Sequence, residues 1–167
     1  MLAPVAAVVL LIAITSIWYN IPRQPSQDVS FATYRNRMVR NLDRTYGMDF
    51  VTNDVAQIRA YLAQHQAPAD YVLPTNLAQT PQVGCGTLSW QGKPVAMVCF
   101  RTGNPLPLGA TSDLFLFVID QKDLLNPPPT DTPVFANVGT MTTVTWRADG
   151  KVYLLAGPDA AELKQRL

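Results

Sequence analysis

The sequence predicts an α+β protein: a single N-terminal transmembrane helix, then two helices, a mainly antiparallel five-stranded sheet and a short C-terminal helix. Three observations carry this. A charge-free run from Leu2 to Pro22 opens the chain, apolar residues recur at helical spacing after Ser30, and from Val83 onward β-branched and aromatic runs alternate with turn residues. With 167 residues, 48% hydrophobic and 15% charged, the chain suits one compact domain plus an appendage and is too apolar to be disordered. Its 13 basic and 12 acidic side chains leave a net charge of +1, which gives no basic footprint for direct nucleic-acid binding.

The first element, residues 1–21, reads as a membrane anchor. Its core, Val5 to Trp18, is VAAVVLLIAITSIW and ends at the aromatic pair Trp18-Tyr19. Roughly 20 helical residues cross a hydrocarbon layer of about 30 Å, and Trp and Tyr favour the headgroup boundary. A secretory signal peptide is the alternative. No Lys or Arg precedes the apolar run, and no Ala-x-Ala-like cleavage site follows it, which favours an uncleaved anchor. Residues 22–29, with two prolines and no apolar period, form a linker, and residues 30–167 form the folded domain.

Within that domain the helical part spans 30–66. Phe31, Tyr34, Met38, Val39 and Leu42 make an apolar stripe behind Ser30 as N-cap, and Gly47 closes the segment. Asn53 or Asp54 opens a second helix with Val55, Ile58 and Leu62 on its stripe, ending before Pro68. The sheet part spans 83–167, with strands at about Val83 to Trp90, Val95 to Arg101, Leu114 to Ile119, Met141 to Trp146 and Val152 to Ala156. Short connections at Gln91-Gly92-Lys93 and at Asp149-Gly150 predict two antiparallel hairpins. Leu114 to Ile119 is apolar without alternation, so it belongs at the centre of the sheet with both faces covered by helices. Two proline-dense segments, 104–109 and 126–133, read as exposed connectors, the second reading being a proline-rich ligand for a partner's groove. Pro158 is placed at the first position of a closing helix that carries Ala160, Leu163 and Leu167.

The cysteines form the sharpest pair. With a three-residue loop at 91–93, Cys85 falls opposite Cys99, and directly opposed antiparallel Cα atoms lie about 4.5 to 5.5 Å apart, within disulfide range. With a two-residue loop Cys85 faces Val98 and the bridge is lost. A bridge implies an oxidising compartment and an exported domain. The positive-inside rule points the other way, because Arg23, Arg35, Arg37, Arg40 and Arg44 all follow the apolar run. The reading adopted is a single-pass membrane protein whose C-terminal domain is exported across the membrane; the resemblance described below implies a bacterial inner membrane with that domain in the periplasm or extracytoplasmic space. Arg35, Arg37, Arg40 and Arg44 are candidates for contact with anionic headgroups, solubilising charge being the equal alternative.

No nucleophile, phosphate-loop, dinucleotide or zinc-protease motif occurs, so no enzyme and no cofactor or metal is expected. The single histidine, His65, reads as a solvated helix-end residue. Asp113 and Asp120 bracket the third strand at a separation of about 23 Å, which suits strand ends better than an acid–base pair. Trp90, Phe100, Trp146 and Tyr153 are candidates for lining a ligand groove, although aromatics at strand spacing more often fill a core.

The order of these segments resembles a known family. Asn53 to Leu77 (NDVAQIRAYLAQHQAPADYVLPTNL), the hairpin from Val83 to Phe100 with its Gly-Cys-Gly, the apolar strand from Asp113 to Asp120, then Met141 to Trp146 and Gly150 to Ala156 look like the extracytoplasmic C-terminal region of transmembrane anti-sigma factors. The resemblance covers roughly residues 50 to 167 and lies in the ordered pattern, not in any single motif. It implies a membrane-anchored, non-catalytic sensory or protein-interaction domain in transcription regulation and signal transduction, with a sigma factor or other regulatory protein as partner. Such proteins usually carry a cytoplasmic sigma-holding domain, often with a His and Cys zinc motif. Here the apolar run begins at residue 2, so the sigma-binding part is expected in a separate or missing segment. The alternative is an envelope module that holds a small apolar ligand or a peptide.

Overall fold

A computed structural model of the chain describes residues 30–45, 47–106, 108–128 and 131–167. The anchor at 1–21 and the linker at 22–29 lie outside the described residues. Among the described residues no helix is long and apolar enough to cross a membrane.

Helix α1 (Phe31–Thr45) starts where Ser30 accepts the Thr33 amide on its hydroxyl at 3.2 Å, the capping expected of that residue. A two-residue strand β1 (Phe50–Val51) follows, then helix α2 (Val55–Gln64). Asp54 caps α2, its carboxylate accepting from the amides of Ala56 at 2.8 Å and Gln57 at 3.3 Å. After a short helix α3 (Thr75–Ala78) come β2 (Gln82–Trp90), β3 (Lys93–Phe100), β4 (Leu114–Asp120), β5 (Val134–Val138), β6 (Met141–Ala148) and β7 (Lys151–Gly157). Helix α4 (Ala160–Gln165) closes the chain. Its cap is Asp159, bonded to Ala161 N at 2.7 Å, which moves Pro158 from the expected first helical position to just outside the helix.

The sheet has seven strands, not five, in the order β1-β2-β3-β4-β7-β6-β5, and every pairing is antiparallel. The five strands read from β-branched and aromatic runs are β2, β3, β4, β6 and β7; the two additional ones form the edges. The four helices of the described residues likewise exceed the three expected there, because α3 occupies a single turn behind Pro74. Strand β1 is too short to show a period, and Val134-Phe135-Ala136 of β5 does not alternate.

Strand β4 lies in the middle of that order, with Leu114 to Ile119 all buried, as its unbroken apolar run requires. Successive side chains alternate between two cores. On one face Val98, Leu116 and Leu155 align across three strands and meet Ile58 and Leu62 of α2 and Leu163 of α4. On the other, Met97, Phe117 and Leu154 align and meet Tyr34, Met38 and Val39 of α1. The result is three layers, α1 on one side of the sheet and α2, α3 and α4 on the other.

Two hairpins turn on residue pairs with positive φ, Gln91 (50°) with Gly92 (78°) and Asp149 (50°) with Gly150 (72°). These are two-residue turns of the kind whose twist matches the strands they join. Gly84 serves a different end: a Cβ there would sit 2.5 Å from both the Phe50 carbonyl oxygen and Met48 Sδ, so its absence is what lets β1 lie against β2.

Candidate functional site

The two-residue turn decides the cysteines. Trp90 pairs with Lys93, so Cys85 pairs with Val98 and Gly84 with Cys99. Cys85 packs in the core under α2 and Cys99 in the core under α1, on opposite faces of the sheet. The expected Cys85–Cys99 disulfide is therefore absent; both residues are buried thiols. Its loss removes the oxidising-compartment argument for export. Burial, reinforced by the Asp49 carboxylate, pushes the Cys85 thiol up to about 11, so it stays protonated and unreactive at neutral pH.

The same alternation divides the four groove aromatics. Trp90 lies under α1, where Tyr34 meets its edge at 5.5 Å and the Arg37 guanidinium stands 5.8 Å from the ring centroid. Phe100, Trp146 and Tyr153 lie on the opposite face, Trp146 stacked on Tyr153 at 5.0 Å. All four are core residues and line no common groove. Tyr153 still acts as a polar fastener, its hydroxyl accepting the Val72 amide at 3.1 Å.

Of the arginines, Arg37 and Arg40 are exposed on α1, Arg35 is half-buried, and the side chain of Arg44 is outside the described residues. Arg37 and Arg40 share one shallow concavity with Asn36, Asn41 and Thr33. Asp113 and Asp120 sit at opposite ends of β4 and do not converge. Asp113 is buried and holds the turn after β3, accepting the Thr102 amide at 2.9 Å and the Thr102 hydroxyl. His65 ends α2, exposed, with Nδ1 2.8 Å from the Tyr61 carbonyl and its ring stacked on Tyr61.

Sequence reasoning passed over one ionic cluster. Lys151, at the start of β7, buries all but 8% of its side chain and places Nζ 2.7 Å from Asp70 and 3.8 Å from Asp120. Its hydrogen bond holds the Asp70 carboxyl below the usual range and raises Lys151 itself. Nearby, Arg59 of α2 donates to the carbonyls of Ala69 at 2.7 Å and Tyr71 at 2.9 Å, its guanidinium 4.4 Å from the Tyr71 ring centroid. Together these bonds fasten the segment between α2 and α3 onto the sheet. A lysine held protonated this way is a tether, not a nucleophile.

Among the described residues, one surface exposed for contact is the outer edge of the sheet. Strand β5 carries Val134-Phe135-Ala136-Asn137-Val138, with Val134 49% and Phe135 42% exposed and no charged side chain. Beside it a groove of about 440 Å³ runs toward α4, lined by Phe135, Asn137, Thr142, Ala160, Ala161 and Lys164. No family model, no curated protein and no solved structure matches the chain. The edge is therefore read from its own chemistry: a backbone ladder that, among the described residues, pairs on one side only, flanked by apolar surface and one ammonium. Nothing in the composition of Val134 to Val138 flagged it, but Gly139-Thr140 between that segment and the β-branched run after Met141 is the hairpin signal that could have.

Proposed function

We propose that the chain is a membrane-tethered protein-interaction domain of an anti-sigma-type transcription regulator, lying on the extracytoplasmic side of a bacterial inner membrane and acting through binding, not catalysis. The single observation that carries the interaction reading is the β5 edge, an uncharged strand at the end of the sheet with Val134 and Phe135 exposed. Exposed edges that natural proteins do not use are normally blunted by charge, proline, bulges or shortness. The regulatory assignment and the extracytoplasmic side rest on the ordered resemblance of residues 50 to 167, against the count of arginines after the apolar run, and the tether rests on that run at 1–21. Arg37 and Arg40, exposed on α1 at 16 and 19 residues beyond that run, remain the candidates for contact with anionic headgroups.

A Val134→Lys, Phe135→Lys chain tests this in its native operon. Both positions are half-exposed, so its melting temperature is expected within about 3 °C of the parent's. Sigma-dependent transcription is expected to be deregulated. Transcription that responds neither to this variant nor to deletion of the gene contradicts the reading. The groove beside β5 favours one second reading, an envelope module that holds a peptide, whose signature is a peptide-dependent rise in melting temperature.

A further inference from the structure

We propose that β5 pairs antiparallel with β5 of a second copy of this chain, the two strands crossing at Ala136, so that two sheets join edge to edge across a twofold axis. The inference rests on the β5 edge being the interaction surface and names its partner.

The two edges of the sheet differ. Strand β1 is two residues long and offers almost no template, whereas β5 is five residues long, in unbroken register with β6, and holds neither charge nor proline. Its backbone orientation follows from the turn. Gly139 and Thr140 form a two-residue loop with φ of 59° at Gly139, so Val138 and Met141 close it as a hydrogen-bonded pair. Alternation then directs Val134, Ala136 and Val138 toward β6 and leaves the N–H and C=O groups of Phe135 and Asn137 pointing outward.

Those outward groups are self-complementary about Ala136. In a twofold pairing Phe135 of one copy meets Asn137 of the other as a hydrogen-bonded pair on each side of the axis. On the face under α1, Val134 meets Val138 of the second copy, a β-branched cross-strand pair of the favourable kind. No charge opposes its like within the strand. The exposed Val134 and Phe135 are covered by the same contact.

The extent of the edge sets the strength. A five-residue strand buries far less than the roughly 1,200 Å² of a stable interface. The pairing is therefore weak between copies in dilute solution and is favoured when a shared membrane holds both copies in one orientation and raises their effective concentration. A twofold axis normal to the membrane allows both tethers to enter from the same side.

The test is mild oxidation of full-length chain carrying Ala136→Cys in native membranes, read on non-reducing gels. Ala136 opposes itself in a non-hydrogen-bonded pair, with Cα atoms about 4.5 Å apart, so a disulfide-linked species of twice the chain mass is expected. Val72→Cys, 57% exposed in the segment between α2 and α3, is the control and is expected to stay monomeric; Cys85 and Cys99, fully buried, contribute no background. Adding Phe135→Pro, which removes an outward donor while sparing the ladder to β6, is expected to lower the crosslink about tenfold. Crosslinking at Ala136→Cys no greater than at Val72→Cys, or a crosslinked product containing a different protein, overturns self-pairing. If β5 charge variants still deregulate transcription in that case, the interaction reading stands and only the partner is wrong; if they do not, both fall.

Discussion

Lys151 places its ammonium between Asp70 and Asp120 with 8% of its side chain exposed, so truncating it removes two ionic contacts and the packing of a buried stem. Lys151→Ala is expected to destabilise the domain by about 2 kcal/mol, measured by urea unfolding. The pH dependence has two opposite limbs. The lowered Asp70 carboxyl contributes stability that is present above its ordinary value of 3.8 and lost as pH falls through its folded value. The raised Lys151 contributes stability that is present below 10.5 and lost as pH rises through its folded value. Between those limits the pair's contribution to a urea midpoint is flat, and Lys151→Ala abolishes both limbs. Tyr34 presents the opposite situation: its hydroxyl is buried with no hydrogen-bond partner among the described residues, and desolvation pushes its pKa up. Tyr34→Phe is accordingly expected to be neutral or to raise stability by up to about 1 kcal/mol. For the cysteines, reductant is expected to leave the melting temperature unchanged, and alkylation of Cys85 to require unfolding; a reductant-sensitive midpoint would restore the disulfide.

At the scale of elements, the hairpins and caps were legible because their signals are local. Asp149-Gly150 fixes a turn, Ser30 and Asp54 fix helix starts, and the unbroken run from Leu114 to Ile119 fixes a central strand. Asp54→Ala is expected to cost about 1 kcal/mol through the lost cap, read as an earlier urea midpoint. What escaped is non-local. The choice between a two- and a three-residue loop at Gln91 shifts register by one and sends Cys85 and Cys99 to opposite faces, and no composition distinguishes the two. Strand β1 exists only because Gly84 leaves room for Met48 and Phe50, a contact across more than thirty positions of sequence. Gly84→Ala is expected to detach β1 and destabilise by about 2 kcal/mol, with loss of amide protection at Phe50 and Val51. Lys151, Asp70 and Asp120 meet only after β4 and β7 pair and the segment before α3 folds back, so no spacing announced them.

For the whole molecule, the sheet separates two cores and leaves the exposed Val134 and Phe135 of β5 at one end of the strand order, while Arg37 and Arg40 are exposed on α1. Export is tested with an introduced thiol, because the native ones are buried: Ser89→Cys, exposed on β2, is expected to react with a membrane-impermeant reagent in intact spheroplasts. The most direct measurement of the central claim is a photo-activated crosslinker placed at Phe135 in the full-length chain in living cells, compared with the same group at Val72. A protein adduct confined to Phe135, at twice the chain mass, is the result the β5 edge and its self-pairing predict. Equal labelling at both positions, or none at Phe135, contradicts the claim that this edge is where the domain acts.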